Sequence, residues 1–155
     1  MTESTEPRDA VTGERVQAAK AMFDDFATMS IAACEGSDPW VGKAFFVEDE
    51  PGHRRLDMCC CLIAAKTVAM LERNPRVAFM VGGDQPDRWI QGIGVAETVT
   101  DDADADAILK RLKEKTPAAG EFLGGVSSVA VRIHVERMTL TDLSAPPPVT
   151  EFTFA

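Results

Sequence analysis

Short turn-forming segments between strand-like runs are the strongest constraint on the fold of this chain. Glycine, proline and acidic residues concentrate at 35–39, 48–52 and 82–87, and these residue types favour the backbone angles of tight turns. A short turn joins two strands in antiparallel order, because a parallel connection needs a crossover of about a dozen residues or more. The sequence therefore predicts an antiparallel sheet rather than a doubly wound parallel one.

The long strand-like run from Arg88 to Thr100 contains glycines at positions 92 and 94. Glycine inside a strand pattern is typical of a bulge or a sharp bend, and barrels bend their strands at such places. Further along, Val126 to Val135 alternates between apolar and polar residues, as expected of a strand with one buried face. Five or six strands of this kind predict a small closed barrel.

Helical periodicity or strong helix-forming residues mark three segments between the strands, at 14–29, 64–73 and 101–116. The second segment ends at Asn74-Pro75, because the residue before proline avoids the helical region. The third begins with acidic residues and ends with lysines, an order that the helix dipole favours. The predicted fold class is therefore mainly β with α (α+β), with the helices flanking the barrel.

Size and charge exclude several classes of function. The chain has 155 residues and a formal charge of -9, which argues against binding to nucleic acid or to an anionic membrane. Its longest apolar run, 58–65, is too short to span a bilayer, and the first residues lack an apolar signal region. We therefore expect one cytoplasmic domain over 13–145, after a disordered arm at 1–12 and before a tail at 146–155, where three prolines end the regular structure.

The cysteines and histidines do not form a metal-binding pattern. Cys59, Cys60 and Cys61 are consecutive and Cys34 stands apart, so the paired spacing of a zinc site is missing. We interpret all four as free thiols that pack as small apolar side chains. The two histidines, His53 and His134, are isolated in the sequence and are interpreted as structural or solvated, and no metal is expected.

Four motifs occur in an order that resembles the pyridoxamine 5'-phosphate oxidase-like FMN-binding split-barrel superfamily. The first is Leu71-Glu72-Arg73-Asn74-Pro75-Arg76-Val77-Ala78-Phe79, a helix end that leads into a strand. The others are Arg88-Trp89-Ile90-Gln91 with Gly94-Val95-Ala96-Glu97, the run Pro39 to Phe46, and a closing strand from Val129 to Leu143 that carries Arg132, Glu136 and Arg137. Together they cover about residues 14–143.

This resemblance implies a homodimer of six-stranded antiparallel split β-barrels with two flavin sites at the interface. Relatives hold the FMN phosphate with a hydroxyl at the end of the third strand and a Ser-Arg-Lys-like cluster at the start of the next helix. In this sequence the hydroxyl position is Cys61, with Cys60 beside it, and the cluster falls at Ala65, Lys66 and Thr67. Only Lys66 keeps a cation, and Cys61 and Ala65 replace two hydroxyls that would donate charge-assisted hydrogen bonds.

The resemblance implies three further cofactor-binding residues. Lys43 lies on a strand that approaches the isoalloxazine ring in relatives, where a cation near N1 stabilises reduced flavin. Arg88 and Trp89 lie on a strand that reaches the cofactor, often from the neighbouring subunit. Each also has a simpler interpretation, as a surface charge for Lys43 and Arg88 and as an interface side chain for Trp89.

The function implied is flavin-mediated redox chemistry on an unidentified small molecule. No catalytic arrangement of protein side chains is visible in the sequence, so the flavin would carry the redox step. Two alternatives stay open at this point. The same fold binds deazaflavin or haem in some relatives, and a dimer that has lost its ligand would be a non-catalytic binding protein.

Overall fold

The computed structural model describes residues 5–49 and 56–154 and contains seven strands and four helices in these ranges. The strands are β1 (Thr28–Glu35), β2 (Asp38–Glu48), β3 (Met58–Leu62), β4 (Arg76–Val81), β5 (Arg88–Thr98), β6 (Val129–Asp142) and β7 (Val149–Thr153). The helices are α1 (Thr5–Asp25), α2 (Ala65–Arg73), α3 (Asp102–Lys115) and α4 (Pro117–Gly124).

Six of the strands close into an antiparallel barrel. Neighbouring strands follow the order β3-β2-β1-β4-β5-β6-β7, and an additional pairing of β3 with β6 closes the ring. The closing ladder joins 58–62 to 129–133, whereas β7 pairs with 137–141, farther along the same long strand. The predicted fold class, a six-stranded antiparallel split barrel with flanking helices in an α+β chain, is therefore confirmed, and β7 extends one side of it.

The predicted bulge lies in the ladder between β5 and β6. Ile93 is opposite Arg137 and Gly94 is opposite Val135, so Glu136 is the extra residue of the longer strand. A Cβ atom at position 94 would lie 2.4 Å from the carbonyl oxygen of His134. Only glycine allows the two backbones to approach this closely, which explains why the bend occurs here.

Two separate apolar clusters stabilise the barrel. The larger fills its interior and includes Phe23, Phe46 and Cys60. The smaller lies between the barrel wall and α3 with α4, and Cys59 and Cys61 belong to it. Successive residues of a strand point to opposite faces, so the three consecutive cysteines divide between the two clusters.

Several element boundaries differ from the predicted ones. α1 begins at Thr5, within the predicted arm of 1–12, and ends at Asp25 rather than at position 29, because β1 already starts at Thr28. The prolines at 146–148 do not end the regular structure, since β7 follows them directly. α4 was not predicted, although Pro117 at its first turn is a typical helix start.

In the part of the chain that the structure describes, no helix is long and apolar enough to cross a membrane. His53 lies outside the described residues.

Candidate functional site

Three side chains meet where β2 approaches the start of α2. The indole Nε1 of Trp40 donates a hydrogen bond to Oγ1 of Thr67, at 3.1 Å. The ammonium group of Lys66 lies 4.0 Å from the centre of the Trp40 ring. Thr67 is buried, whereas Lys66 and Trp40 are exposed. This Trp40–Lys66–Thr67 cluster contains two of the predicted cofactor residues and a tryptophan that the sequence had not assigned to the site.

The first turn of α2 offers backbone donors beside this cluster. Its N-cap residue, Ala64, provides no side-chain hydrogen bond, and the turn contains no acidic residue. The first four amides of a helix have no partner inside the helix, and the N-terminus carries about half a positive charge. The β2 backbone passes close by, since a Cβ at Gly42 would lie 3.9 Å from Oγ1 of Thr67. Together with the Lys66 ammonium, these groups favour an anion at the start of α2.

Lys43 lies on β2, three residues beyond Trp40 and on the other face of the strand. Its side chain is exposed, whereas the next residue, Ala44, points into the barrel. Its partner on β1 is Ser30. The structure thus places Lys43 near the cluster along the sequence but on the outer surface of the sheet.

Cys60 and Cys61 are both buried, on opposite faces of β3. Burial raises the pKa of each thiol, so both are neutral near pH 7. Cys59 is similar: burial and a 3.0 Å hydrogen bond from its thiol to the Asp49 carboxylate raise its pKa. The third strand therefore presents buried neutral thiols where the resemblance implied a phosphate-binding hydroxyl.

Arg88 and Trp89 lie at the other end of the sheet from the cluster. The cross-strand pairs lead from Trp40 on β2 through one residue of β1 and one residue of β4 to Gly94 on β5. Arg88 lies six residues before Gly94, or about 20 Å away along β5. The Arg88 guanidinium pairs with Asp25 at 3.2 Å and lies 5.4 Å from the Phe26 ring. One chain alone therefore does not bring Arg88 or Trp89 together with Lys66.

A groove of about 670 Å³ crosses the outer face of the sheet. It extends from Val41 on β2 to Thr153 on β7, and small residues such as Ala32 and Ala78 line it. No local sequence pattern indicates this groove, because its lining comes from six strands. Arg137 lines it and had been noted only as part of a closing motif.

His134 is held by two carboxylates. Its Nε2 atom lies 2.7 Å from Glu97 Oε2, and its Nδ1 atom lies 3.6 Å from Asp57 Oδ2. Both ring nitrogens therefore face carboxylates rather than an open cavity. Among the side chains that the structure describes, at 13–49 and 56–154, no group of three histidine, cysteine or acidic residues could hold a metal ion.

Comparisons with known proteins show the fold. No family model matches the chain, and no curated protein sequence matches it. Solved structures do match.

The "Putative Pyridoxamine 5'-phosphate oxidase" of Listeria innocua has a TM-score of 0.64 at 18% identity, covering 81% of this chain and 96% of its own. An FAD-binding protein of Mesorhizobium loti has a TM-score of 0.61 at 14% identity, with coverages of 79% and 90%. The heme storage protein HutZ of Vibrio cholerae has a TM-score of 0.62 at 19% identity, with coverages of 77% and 89%.

These matches agree with the resemblance seen in the sequence motifs. They include a flavin-binding protein and a heme storage protein on one architecture, so the ligand differs among structures that share it. The chain has the split-barrel fold of these pyridoxamine 5'-phosphate oxidase-like proteins.

Proposed function

We propose that this chain binds FMN and serves as a flavin-dependent oxidoreductase acting on a small molecule. The observation that carries the proposal is the Trp40–Lys66–Thr67 cluster beside the uncapped start of α2. Flavin binding by a protein of the same fold, in Mesorhizobium loti, adds support.

The donors at the start of α2 suit a phosphate group. Lys66 supplies a positive charge, Thr67 a hydroxyl, and the first turn of α2 its free amides, and such donors are typical of phosphate sites at helix N-termini. FMN, when bound, would supply the hydride and electron chemistry, while the protein positions it and adjusts its electrostatics. Cys60 and Cys61 have no part in this set, because both thiols are buried and neutral.

Lys43 is proposed to act on the electronics of the flavin. Its side chain is exposed on the outer face of β2, without a hydrogen bond or ion pair to any described residue. A cation beside the ring stabilises the negative charge that reduction places there. Arg88 and Trp89 belong to the proposal only as residues of a second copy, because their distance from Lys66 in one chain is too large. A homodimer is therefore part of the proposal, as is a cytoplasmic location.

Haem is the second candidate, since haem storage occurs on this fold in Vibrio cholerae. Haem iron usually takes a histidine, cysteine thiolate, methionine or tyrosine ligand. His134 is engaged by Glu97 and Asp57, and the three thiols of β3 are buried and neutral. Neither His134 nor the β3 thiols therefore offers a free ligand to haem iron, whereas the donors at the start of α2 suit a phosphate-bearing ligand such as FMN, or a deazaflavin that carries phosphate.

A titration with FMN tests the role of Lys66. We expect Lys66→Ala to weaken FMN binding by about tenfold, or about 1.4 kcal/mol. Lys110→Ala is the matched control, because it removes an exposed cation of α3 that is not part of the cluster. Equal affinity of the two folded variants for FMN would show that Lys66 does not bind the cofactor. Absence of FMN binding by the unmodified protein would refute the proposal itself.

A further inference from the structure

The hairpin of β1 and β2 holds α2 at both ends. At the end of the helix, the side-chain amide of Asn74 donates a hydrogen bond of 2.9 Å to the Cys34 carbonyl oxygen on β1. At its start, the indole Nε1 of Trp40 on β2 donates to Oγ1 of Thr67, at 3.1 Å. The N-cap residue Ala64 provides no side-chain hydrogen bond. A tryptophan from the neighbouring strand therefore fixes the start of α2, in place of a capping side chain.

The indole N–H determines how the Thr67 hydroxyl can bond. A threonine hydroxyl has one hydrogen to donate and two lone pairs that accept, whereas the indole nitrogen only donates. Because the Trp40 indole uses a lone pair of Oγ1, this bond leaves the hydroxyl hydrogen of Thr67 for another acceptor. Hydrogen bonds in a chain strengthen one another, and Thr67 is buried, so water competes little for this hydroxyl. The indole thus makes Thr67 a better donor to an anion.

The ring of Trp40 holds the second donor, the Lys66 ammonium group. Nζ lies 4.0 Å from the centre of the ring, which is within the range of a cation–π contact. A lysine has a flexible stem of four carbons, and ordering such a side chain opposes ligand binding. An ammonium group that already lies on the ring loses less freedom when a phosphate binds. The contact therefore pre-organises the cation of the site.

Trp40 is directed toward α2 and away from the outer face of the sheet. Side chains four residues apart on a strand share a face, and Ala44, four residues after Trp40, belongs to the core of the barrel. Lys43 lies on the opposite face of β2. The Trp40–Lys66–Thr67 cluster is therefore formed by one chain, and a second copy that covers the outer face would leave it in place.

We propose that Trp40 is the positioning residue of the phosphate site, holding Lys66 and Thr67 so that both donate to one phosphate group. This inference rests on the proposed function and adds the residue that organises its donors. The Val68 amide bonds to the Ala64 carbonyl oxygen at 3.2 Å, so the amides of Lys66 and Thr67 precede the first hydrogen bond of the helix and have no partner within it. A phosphate at this turn accepts from the side chains and the amides of the same two residues.

The affinities for FMN and for riboflavin, which lacks the phosphate, test this role. We expect Trp40→Leu to weaken FMN binding by about tenfold (about 1.4 kcal/mol) and to leave riboflavin binding unchanged. Trp40→Phe keeps a ring for Lys66 but loses the N–H, so it should weaken FMN binding less, by about threefold. Phe122→Leu is the matched control, because it removes an exposed aromatic ring of α4 outside the cluster. The control should bind both flavins normally.

A double-mutant cycle shows whether Trp40 acts through Lys66. In a Lys66→Ala background, Trp40→Leu should weaken FMN binding by only about threefold, because only the contact with Thr67 is left to lose. Two independent tenfold losses in the double variant would overturn the inference, as would an equal loss of affinity for riboflavin and FMN. FMN binding that depends on Lys66 but not on Trp40 would overturn this inference alone. Absence of FMN binding by the unmodified protein would refute the proposed function as well.

Discussion

Replacement of Gly94 by alanine tests how the barrel bends. The added Cβ would lie 2.4 Å from the His134 carbonyl oxygen, 3.1 Å from its carbonyl carbon and 3.2 Å from the Val135 Cα atom. All three are backbone atoms of β6, whose neighbouring residues 130–133 pair with β3 on the other side. The strand cannot move away without disturbing a second ladder. Overpacking costs about 1–3 kcal/mol, and because the obstacle is backbone we expect a loss of about 2–3 kcal/mol.

Urea unfolding, followed by circular dichroism, measures this loss of stability. Gly124→Ala is the matched control, because a Cβ at Gly124, the last residue of α4, meets nothing within 4 Å. We expect the control to stay within about 0.5 kcal/mol of the unmodified protein, as surface substitutions usually do. A Gly94→Ala variant as stable as the control, with the same denaturant dependence, would refute the close approach at the bulge.

Three further predictions concern the charged and thiol groups. Lys43→Ala should lower the reduction potential of bound FMN, by roughly 30 mV for a two-electron couple. An unchanged potential would mean that Lys43 is a surface charge that does not act on the flavin. Burial lowers the pKa of Lys115 from 10.5 to about 8, so between these values the unfolded chain binds more protons and stability rises with pH. Between pH 8 and pH 10, the free energy of unfolding measured with urea should therefore rise less for Lys115→Met than for the unmodified protein. An equal rise in the two proteins would contradict this prediction. Burial raises the pKa of the three β3 thiols, so at pH 8 a disulfide reagent should modify only the half-exposed Cys34 in the folded protein and all 4 cysteines in urea. Rapid modification of more than one thiol in the folded protein would contradict it.

Local sequence patterns predicted most of the barrel. The bulge followed from glycines 92 and 94 inside a strand pattern, and the structure has its register shift beside Gly94. α3 begins where the acidic residues predicted, with the Asp101 side chain accepting a hydrogen bond from the Asp104 amide. Both features depend on residues close together in the chain, which is why a single sequence was sufficient to find them.

These local patterns could not predict contacts between residues that are far apart in the sequence. Trp40 and Thr67 are 27 positions apart, and no periodicity connects the end of a hairpin turn to the start of a helix. β7 was missed because three prolines precede it, although its pairing with β6 depends on residues 137–141. Arg137 was noted in the sequence, but its place in the groove depends on the register of six strands.

Among the candidate residues, the sequence identified Lys66 and Thr67 together but could not show what they contact. The resemblance placed Cys61 at a phosphate-binding position, and the structure places its thiol under α3 and α4 instead. The choice between the two faces of β3 depends on barrel packing rather than on the motif. The roles of Lys43, Arg88 and Trp89 stay predictions.

FMN binding, on which the proposed function depends, is tested by an absorbance scan of the purified protein from 300 to 500 nm, with FMN added in steps and free FMN removed by dialysis. We expect two flavin bands that persist after dialysis and saturate at one FMN per chain. A protein that stays colourless after dialysis at every FMN concentration would contradict it, and a Soret band near 400 nm in the protein as purified would assign the site to haem.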